Sequence, residues 1–75
     1  MNDYEKYISI NPDIRFGKPC ITGTRITVSD ILQWLASGMS NEDILRDYPE
    51  LDLQKIRAAL AFAAHRDQIG KIIAA

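Results

Sequence analysis

The chain has 75 residues, a formal net charge of −1, 47% hydrophobic and 25% charged residues, which describes one small globular domain rather than a disordered chain. Short domains bury only about 60% of their unfolded surface, so the core is marginal by itself and a partner chain is expected to cover part of it. No run of apolar residues approaches the roughly 18 that a membrane span needs. Cys20 is the single cysteine, so no disulfide can form within the chain, and MNDYEKYISI lacks the pattern of a secretory signal. We therefore expect a cytoplasmic protein without membrane attachment.

The first 27 residues combine short β-prone runs with turn residues. The runs are Tyr7–Ile10, Ile14–Phe16 and Cys20–Ile21, separated by Asn11, Pro12, Gly17 and Pro19. This pattern predicts a short N-terminal β-strand arm or hairpin within the same domain. Because an isolated two-stranded ribbon is marginal in water, the strands are expected to pack on helices or to pair with a second chain. Tyr7, Ile8 and Ile10 are therefore candidate interface residues.

Beyond residue 27 the signals change to helix, in three successive segments. The expected N-caps are Thr27, Ser40 and Asp52, each flanked by an apolar pair spaced as a hydrophobic staple. Gly38 is placed to end the first helix, and Pro49 to end the second near Tyr48. Residues 28–68 are thus predicted to form a tri-helical core, and residues 69–75 a tail. The expected fold class is mainly α, a three-helix bundle with a short β arm.

The third helix is apolar almost all round. Its inward stripe is predicted to be Leu53, Ile56, Leu60 and Ala63, and alanines cover much of the remaining surface. Such a helix is normally covered on two sides, which in a short chain indicates a homodimer; the alternative is that alanine merely favours helix and tolerates exposure. Phe62 and, in the first helix, Trp34 are candidate interface anchors, with core packing an equal alternative for Trp34.

The second and third helices and the turn between them have the length and apolar pattern of a helix-turn-helix, whose second helix enters the DNA major groove. Gln54, Lys55 and Arg57 are the candidate DNA contacts, with Ala58 exposed beside them, because glutamine can read adenine and arginine or lysine can read guanine or hold phosphate. Acidic residues crowd the second helix and would repel phosphate. A packing unit whose polar face is only solvated therefore remains the alternative.

Catalytic and ligand-binding signatures are weak throughout the sequence. The segment FGKPCITGTR departs from a phosphate-binding loop, whose pattern is GxxxxGK followed by serine or threonine. Pro12 stands where the first glycine of that pattern is needed, and Pro19 directly follows Lys18. His65 is the only histidine, and Cys20 has no base patterned beside it. We expect no catalytic residue, no cofactor and no metal site, hence no enzyme. Arg25, close to the turn at Gly23, is predicted to be structural, with its guanidinium on a carboxylate or on loop carbonyls.

Three motifs give the chain a family resemblance: GKPCITGTRITV, GMSNEDILRDYPEL and IRAALAFA. Over residues 8–67 the sequence resembles the domain of unknown function 433 family, which has glutamate where Asp43 stands and tyrosine where Phe62 stands. The resemblance implies a homeodomain-like or winged helix-turn-helix fold similar to VapB-type antitoxins, which are often paired with a PIN-like nuclease toxin. The function it implies is a dimeric antitoxin-like protein that binds operator double-stranded DNA and neutralises a PIN-like RNase; the alternative is a non-enzymatic protein–protein interaction module without DNA binding.

Overall fold

The computed structural model describes the backbone of residues 3–74 and the side chains of residues 4–66. Its elements in chain order are a 3-10 turn (Asp3–Lys6), β1 (Ile8–Ser9), a second 3-10 turn (Arg15–Gly17), β2 (Cys20–Ile21), α1 (Val28–Ala36), α2 (Asn41–Asp47) and α3 (Leu53–Ala74). Strands β1 and β2 are antiparallel, with Ile8 opposite Ile21. The prediction of a mainly helical domain with three helices and a small N-terminal β element is confirmed. Residues 69–74, set apart as a tail in the sequence, continue α3.

The N-termini of the three helices are capped where the sequence predicts. At α1, the Thr27 hydroxyl accepts from the Asp30 amide at 2.9 Å, and the Asp30 carboxylate accepts from the Thr27 amide at 3.1 Å. Ser40 and Asp43 form the same reciprocal pair at α2. At α3, the Asp52 carboxylate accepts from the amide three residues further on, at 2.9 Å. These bonds satisfy amides that a first helical turn leaves free, and so they fix where each helix begins.

The core is centred on isoleucines from four different elements. Ile21 of β2, Ile31 of α1, Ile44 of α2 and Ile56 of α3 are all fully buried in one cluster. Ala59 of α3 is fully buried in the same cluster, and its small side chain allows a neighbouring element to approach the helix closely. The cluster therefore joins the three helices to the sheet in a single core.

The buried face of α3 differs from the predicted stripe. Leu53 and Leu60 are 37% and 42% exposed, whereas Ala58 and Ala59 are buried beside Ile56. Residues seven apart lie on the same face of a helix, so the two leucines mark a shared outer face. The prediction of Leu53 and Leu60 as inward residues is wrong, because α3 packs through Ile56 and the small residues Ala58 and Ala59 beside it.

The middle piece of the N-terminal arm, residues 14–16, was expected to be extended but forms a turn. Arg15, Phe16 and Gly17 have φ angles of 50°, 60° and 79°, three successive left-handed residues. The left-handed conformation costs roughly 1–2 kcal/mol for a residue other than glycine, so the rest of the fold must hold Arg15 and Phe16 in place. The side chain of Phe16 is 97% exposed at this turn.

Candidate functional site

The first turns of α3 carry the predicted DNA contacts, but on two different sides. Gln54 and Arg57 are exposed and lie three positions apart, about 60° around the helix. Lys55 lies about 160° from Arg57, and its Nζ donates to the Glu50 carbonyl at 3.0 Å. Ala58, expected to be exposed, is buried. The structure thus brings Gln54 and Arg57 together, while Lys55 lies on another side of α3 and closes the turn between α2 and α3. The contact of these three residues with DNA stays a prediction.

The surface of α2 and of the following turn is acidic. Its exposed or half-buried carboxylates are Glu42, Asp43, Asp47, Glu50 and Asp52. Arg46 is paired with two of them, at 2.9 Å from Asp43 and 3.9 Å from Asp47. This surface repels a phosphate backbone.

Within the acidic surface, the titration of Asp43 is shifted by its cap. The pKa of Asp43 lies below its ordinary value of 3.8, chiefly because the backbone amide of Ser40 donates to the carboxylate, with further contributions from the Ser40 side chain and from the Arg46 guanidinium. Each of these groups favours the charged carboxylate. Ionised Asp43 is therefore part of what holds the start of α2.

Asp43→Asn is expected to lower the melting temperature slightly at pH 7, and this difference is expected to shrink as the pH falls below 3.8 and through the depressed folded-state pKa of Asp43. The folded-state pKa is depressed, so the stabilisation is present above the unfolded-state pKa and is lost as the pH falls through the folded-state value. Thermal unfolding followed by circular dichroism, from pH 7 into the acid range, measures the difference in melting temperature between wild type and variant. Glu42→Gln, which removes an exposed α2 carboxylate outside the cap, is the matched control. A difference between wild type and Asp43→Asn that stays the same throughout an acid titration would contradict the assignment.

The ion pair beside the α1 cap is formed by Arg15 and not by Arg25. Arg15 Nη1 donates to the Arg25 carbonyl at 2.8 Å and to Asp30 Oδ2 at 3.2 Å. Ile26 is buried, whereas the adjacent Arg25 side chain is exposed. The prediction that the Arg25 guanidinium binds a carboxylate or loop carbonyls is wrong: in the described part of the chain, Arg15 makes both kinds of bond.

The candidate interface residues of the N-terminal arm have different environments. Ile10 is 62% exposed, Tyr7 is half-buried, and Ile8 packs against the core. Strand β1 already pairs with β2 of the same chain. Among these three residues, only Ile10 presents most of its side chain to solvent, and their role in an interface stays a prediction.

The aromatic interface candidates both contact other aromatic rings of the chain. Trp34 stacks on Tyr48, with ring centroids 4.0 Å apart and planes 11° apart. Phe62 meets the ring of Tyr4 edge-on, at 5.8 Å and 88°. Both candidates are half-buried and pack against the core. Each ring therefore stabilises the fold, and the role of Trp34 and Phe62 in an interface stays a prediction.

An apolar pocket between α1 and α3, called here the α1–α3 pocket, was not anticipated from the sequence. It has a volume of about 210 Å³ and its apolar walls are Pro19, Val28, Leu32, Phe62 and Ala63. Two exposed polar residues, Ser29 and Arg66, complete the lining. The Arg66 guanidinium lies 5.5 Å from the centroid of the Phe62 ring, a cation–π distance. The walls come from three separate segments, so no local motif signals the pocket.

Phe16 is the second feature that the sequence did not indicate as functional. It is the most exposed large hydrophobic residue in the described part of the chain, and it follows β-prone residues that suggested a strand. The only local signal is its place directly before Gly17-Lys18-Pro19, a segment rich in turn residues.

The remaining histidine, cysteine and acidic side chains do not form a metal site in the described part of the chain. Among the described residues, no three His, Cys, Asp or Glu side chains are grouped as metal ligands. His65 lies tilted against the Tyr4 ring at 6.2 Å, and the buried Cys20 Sγ donates to the Lys18 carbonyl at 3.3 Å. None of the described helices combines the length and the apolar character that crossing a bilayer requires.

These features define a mainly helical domain of three capped helices and a two-stranded antiparallel sheet, with Gln54 and Arg57 exposed on α3 and an apolar pocket between α1 and α3. Residues 8–63 match the family described as "Protein of unknown function (DUF433)", and the chain belongs to this family. The resemblance found in the sequence is thereby confirmed.

Two relatives illustrate the match. The uncharacterized protein y4eO of Sinorhizobium fredii is 41% identical over 56 residues, which are 75% of this chain and 25% of that protein. The chain thus spans about a quarter of the length of this relative. The crystal structure of a DUF433 member protein from Anabaena variabilis ATCC 29413 is similar with a TM-score of 0.79 and 28% identity, covering 95% of this chain and 71% of that one.

Proposed function

We propose that the chain is a non-enzymatic, antitoxin-like helix-turn-helix protein of the cytoplasm, which acts as a homodimer, binds operator DNA and neutralises a PIN-like RNase toxin. The observation that carries the DNA-binding part is the exposed face shared by Gln54 and Arg57 at the start of α3. The antitoxin part is supported by the resemblance of the GKPCITGTRITV and GMSNEDIL motifs to a family similar to VapB-type antitoxins.

In this proposal α3 is the recognition helix and α2 supports it. Ile44 and Ile56 join the two helices through the core, and Lys55 holds the turn between them, so the outer face of α3 is free to enter a major groove. Gln54 can pair with an adenine edge, and Arg57 with guanine or with phosphate. The acidic α2 directs the duplex toward Arg57. A homodimer presents two such helices to half-sites about one helical turn apart.

Arg57→Ala is expected to weaken binding to the DNA upstream of the gene. If Arg57 holds a phosphate, the slope of the logarithm of the binding constant against the logarithm of salt concentration falls by about one unit. If Arg57 reads a base, the binding free energy weakens by about 1–3 kcal/mol and the preference at that one base position is relaxed. Lys55→Ala removes the same charge two positions away but from the opposite side of α3, so it is the matched control and should change binding little. A footprint locates the site, and titrations at several salt concentrations compare the variants.

The proposal of DNA binding fails if the upstream DNA shows no footprint, or if Arg57→Ala and Lys55→Ala weaken binding equally. Folding is monitored in parallel by thermal unfolding, since Arg57 is exposed and its loss should leave the melting temperature almost unchanged. The antitoxin part is tested by assaying the product of any nuclease-like gene beside this one in the presence of the purified chain. Inhibition of the nuclease activity by the purified chain supports it, and undiminished activity contradicts it.

A protein–protein interaction module without DNA binding is the second candidate function. The acidic surface of α2 favours it, because clustered carboxylates suit a basic partner better than a phosphate backbone. Charge reversal at Glu42, which is exposed and makes no cap, is then expected to weaken the complex with such a partner, most strongly at low salt. Retardation of upstream DNA with a steep salt dependence would favour the first candidate instead.

A further inference from the structure

Phe16 is displayed to solvent by a turn that the fold holds in an unfavourable conformation. Its ring is 97% exposed, and both Phe16 and the preceding Arg15 are left-handed. The two hydrogen bonds of Arg15 Nη1, to the Arg25 carbonyl and to Asp30, attach this turn to the start of α1. A strained, fixed turn with an aromatic ring at its tip is a feature typical of a contact site.

The α1–α3 pocket has the size and the chemistry to receive an aromatic ring. A cavity of about 150 Å³ lined by aliphatic and aromatic side chains holds benzene, and this pocket measures about 210 Å³. Its walls are apolar, and the Phe62 ring within it offers an edge or a face to a second ring. Arg66, which already lies over the Phe62 ring, can pack on an entering ring as well.

Phe16 and the pocket are neighbours on the surface of one chain, yet Phe16 does not fill the pocket. Pro19 is a wall of the pocket and lies three residues from Phe16, a separation of at most about 11 Å along the chain. Because the ring is almost wholly exposed, the pocket of the same chain is not its binding site. A ring and a matching cavity this close together form a self-complementary patch.

We infer that Phe16 of one copy inserts into the α1–α3 pocket of a second copy, and the second copy reciprocates across a two-fold axis. In such a dimer each contact occurs twice, and the short distance between Phe16 and the pocket lets one axis serve both insertions. The two rings leave water on association, which is the dominant driving force for such contacts. This inference deepens the homodimer of the proposed function and is independent of DNA binding.

Phe16→Ala is expected to raise the dissociation constant of the dimer by about 100-fold, because two rings are lost and burying each one contributes about tenfold or more. Ser29→Trp is expected to have a similar effect, since an indole on this exposed lining residue fills the pocket. Sedimentation equilibrium over the micromolar range measures the dissociation constants of both variants. Leu53→Ala, which shortens an exposed apolar side chain of α3 outside the pocket, is the control and should dimerise like the wild type. Thermal unfolding at low concentration shows that each variant folds.

Mixing the two defective variants gives the sharpest test. A Phe16→Ala homodimer has two empty pockets, and a Ser29→Trp homodimer has two blocked ones. The heterodimer keeps one insertion, that of Phe16 of the Ser29→Trp chain into the open pocket of the Phe16→Ala chain. Energy transfer between differently labelled variants should therefore show a heterodimer at least about tenfold tighter than either homodimer.

The inference is overturned if Phe16→Ala dimerises like the wild type, or if the mixture associates no better than its components. A wild type that is monomeric at about 100 μM would overturn it together with the proposed homodimer, even if Phe16 proved to bind a different protein. Failure of the Arg57 titration affects only the proposed DNA binding, because Arg57 does not line the pocket. The two sets of results are thus separable.

Discussion

Ile56→Ala is expected to lower the free energy of unfolding by about 2–5 kcal/mol, the range found when a fully buried isoleucine is truncated. Ile56 is completely buried among the isoleucines of the sheet, α1 and α2, so its loss leaves a cavity where all of these elements meet. A domain of this size has a total stability of roughly 4–11 kcal/mol. The substitution therefore removes a large part of the stability, which urea unfolding followed by circular dichroism measures.

Leu53→Ala in the same helix is the matched control for Ile56. Both substitutions shorten an aliphatic side chain of the first turns of α3, but Leu53 is 37% exposed and its neighbours can close around the gap. Leu53→Ala should therefore lower the free energy of unfolding by less than half as much as Ile56→Ala does. Equal losses would mean that Leu53 faces the core as its spacing in the sequence suggests, and would contradict the observed orientation of α3.

The helix caps could be predicted because they are local. Thr27 with Asp30 and Ser40 with Asp43 are pairs three residues apart, and the sequence alone holds all the information that these hydrogen bonds need. The same holds for Gly38, whose φ of 102° marks the end of α1 as a glycine at this position should. The boundaries of α1 and α2 consequently agree with the sequence to within a residue or two.

The inward face of α3 could not be predicted, because the helix is apolar almost all round. Periodicity allows Leu53 and Leu60 as core residues as readily as Ala58 and Ala59. Which set is buried depends on how closely another element approaches, and close approach favours alanine. That choice is made by tertiary packing around Ile56, which the pattern of a single helix does not contain.

The turn at residues 15–17 was missed for a related reason. Arg15 and Phe16 have no intrinsic preference for positive φ, and the bonds that hold them there join residues 10 and 15 positions apart in the chain, Arg15 to Arg25 and Arg15 to Asp30. Such long-range bonds leave no local signature. Phe16 and the pocket, the features with the clearest potential to bind a second chain, therefore emerge only in three dimensions.

For the candidate DNA contacts, the helical period could be predicted from the sequence, but the hydrogen bond of Lys55 could not. Gln54 and Arg57 lie together as their spacing on a helix allows, while Lys55 faces the other side and bonds to Glu50. The helical period alone separates Lys55 from Arg57. The bond to Glu50 required the geometry of the turn between α2 and α3.

Asp30→Ala is expected to lower the free energy of unfolding by about 2 kcal/mol, a larger effect than an exposed cap residue would give. The Asp30 carboxylate accepts the hydrogen bond of the Thr27 amide, and Thr27 is only 1% exposed. A buried donor left without a partner costs about 1–3 kcal/mol. The partly exposed pair with Arg15 adds less than about 1 kcal/mol.

Asp43→Ala is the matched control, because Asp43 occupies the equivalent position of the second capping box. There Ser40 is exposed, so water can replace the lost carboxylate, and we expect a clearly smaller loss in the same urea titration. Arg15→Ala removes the ion pair together with the bond to the Arg25 carbonyl and leaves the cap, and it should lower the stability less than Asp30→Ala does. If Asp30→Ala and Asp43→Ala are equally destabilising, burial of the Thr27 amide contributes nothing. If Arg15→Ala matches Asp30→Ala, the bonds of Arg15 that hold the Phe16 turn, and not the cap, are what stabilises this end of α1.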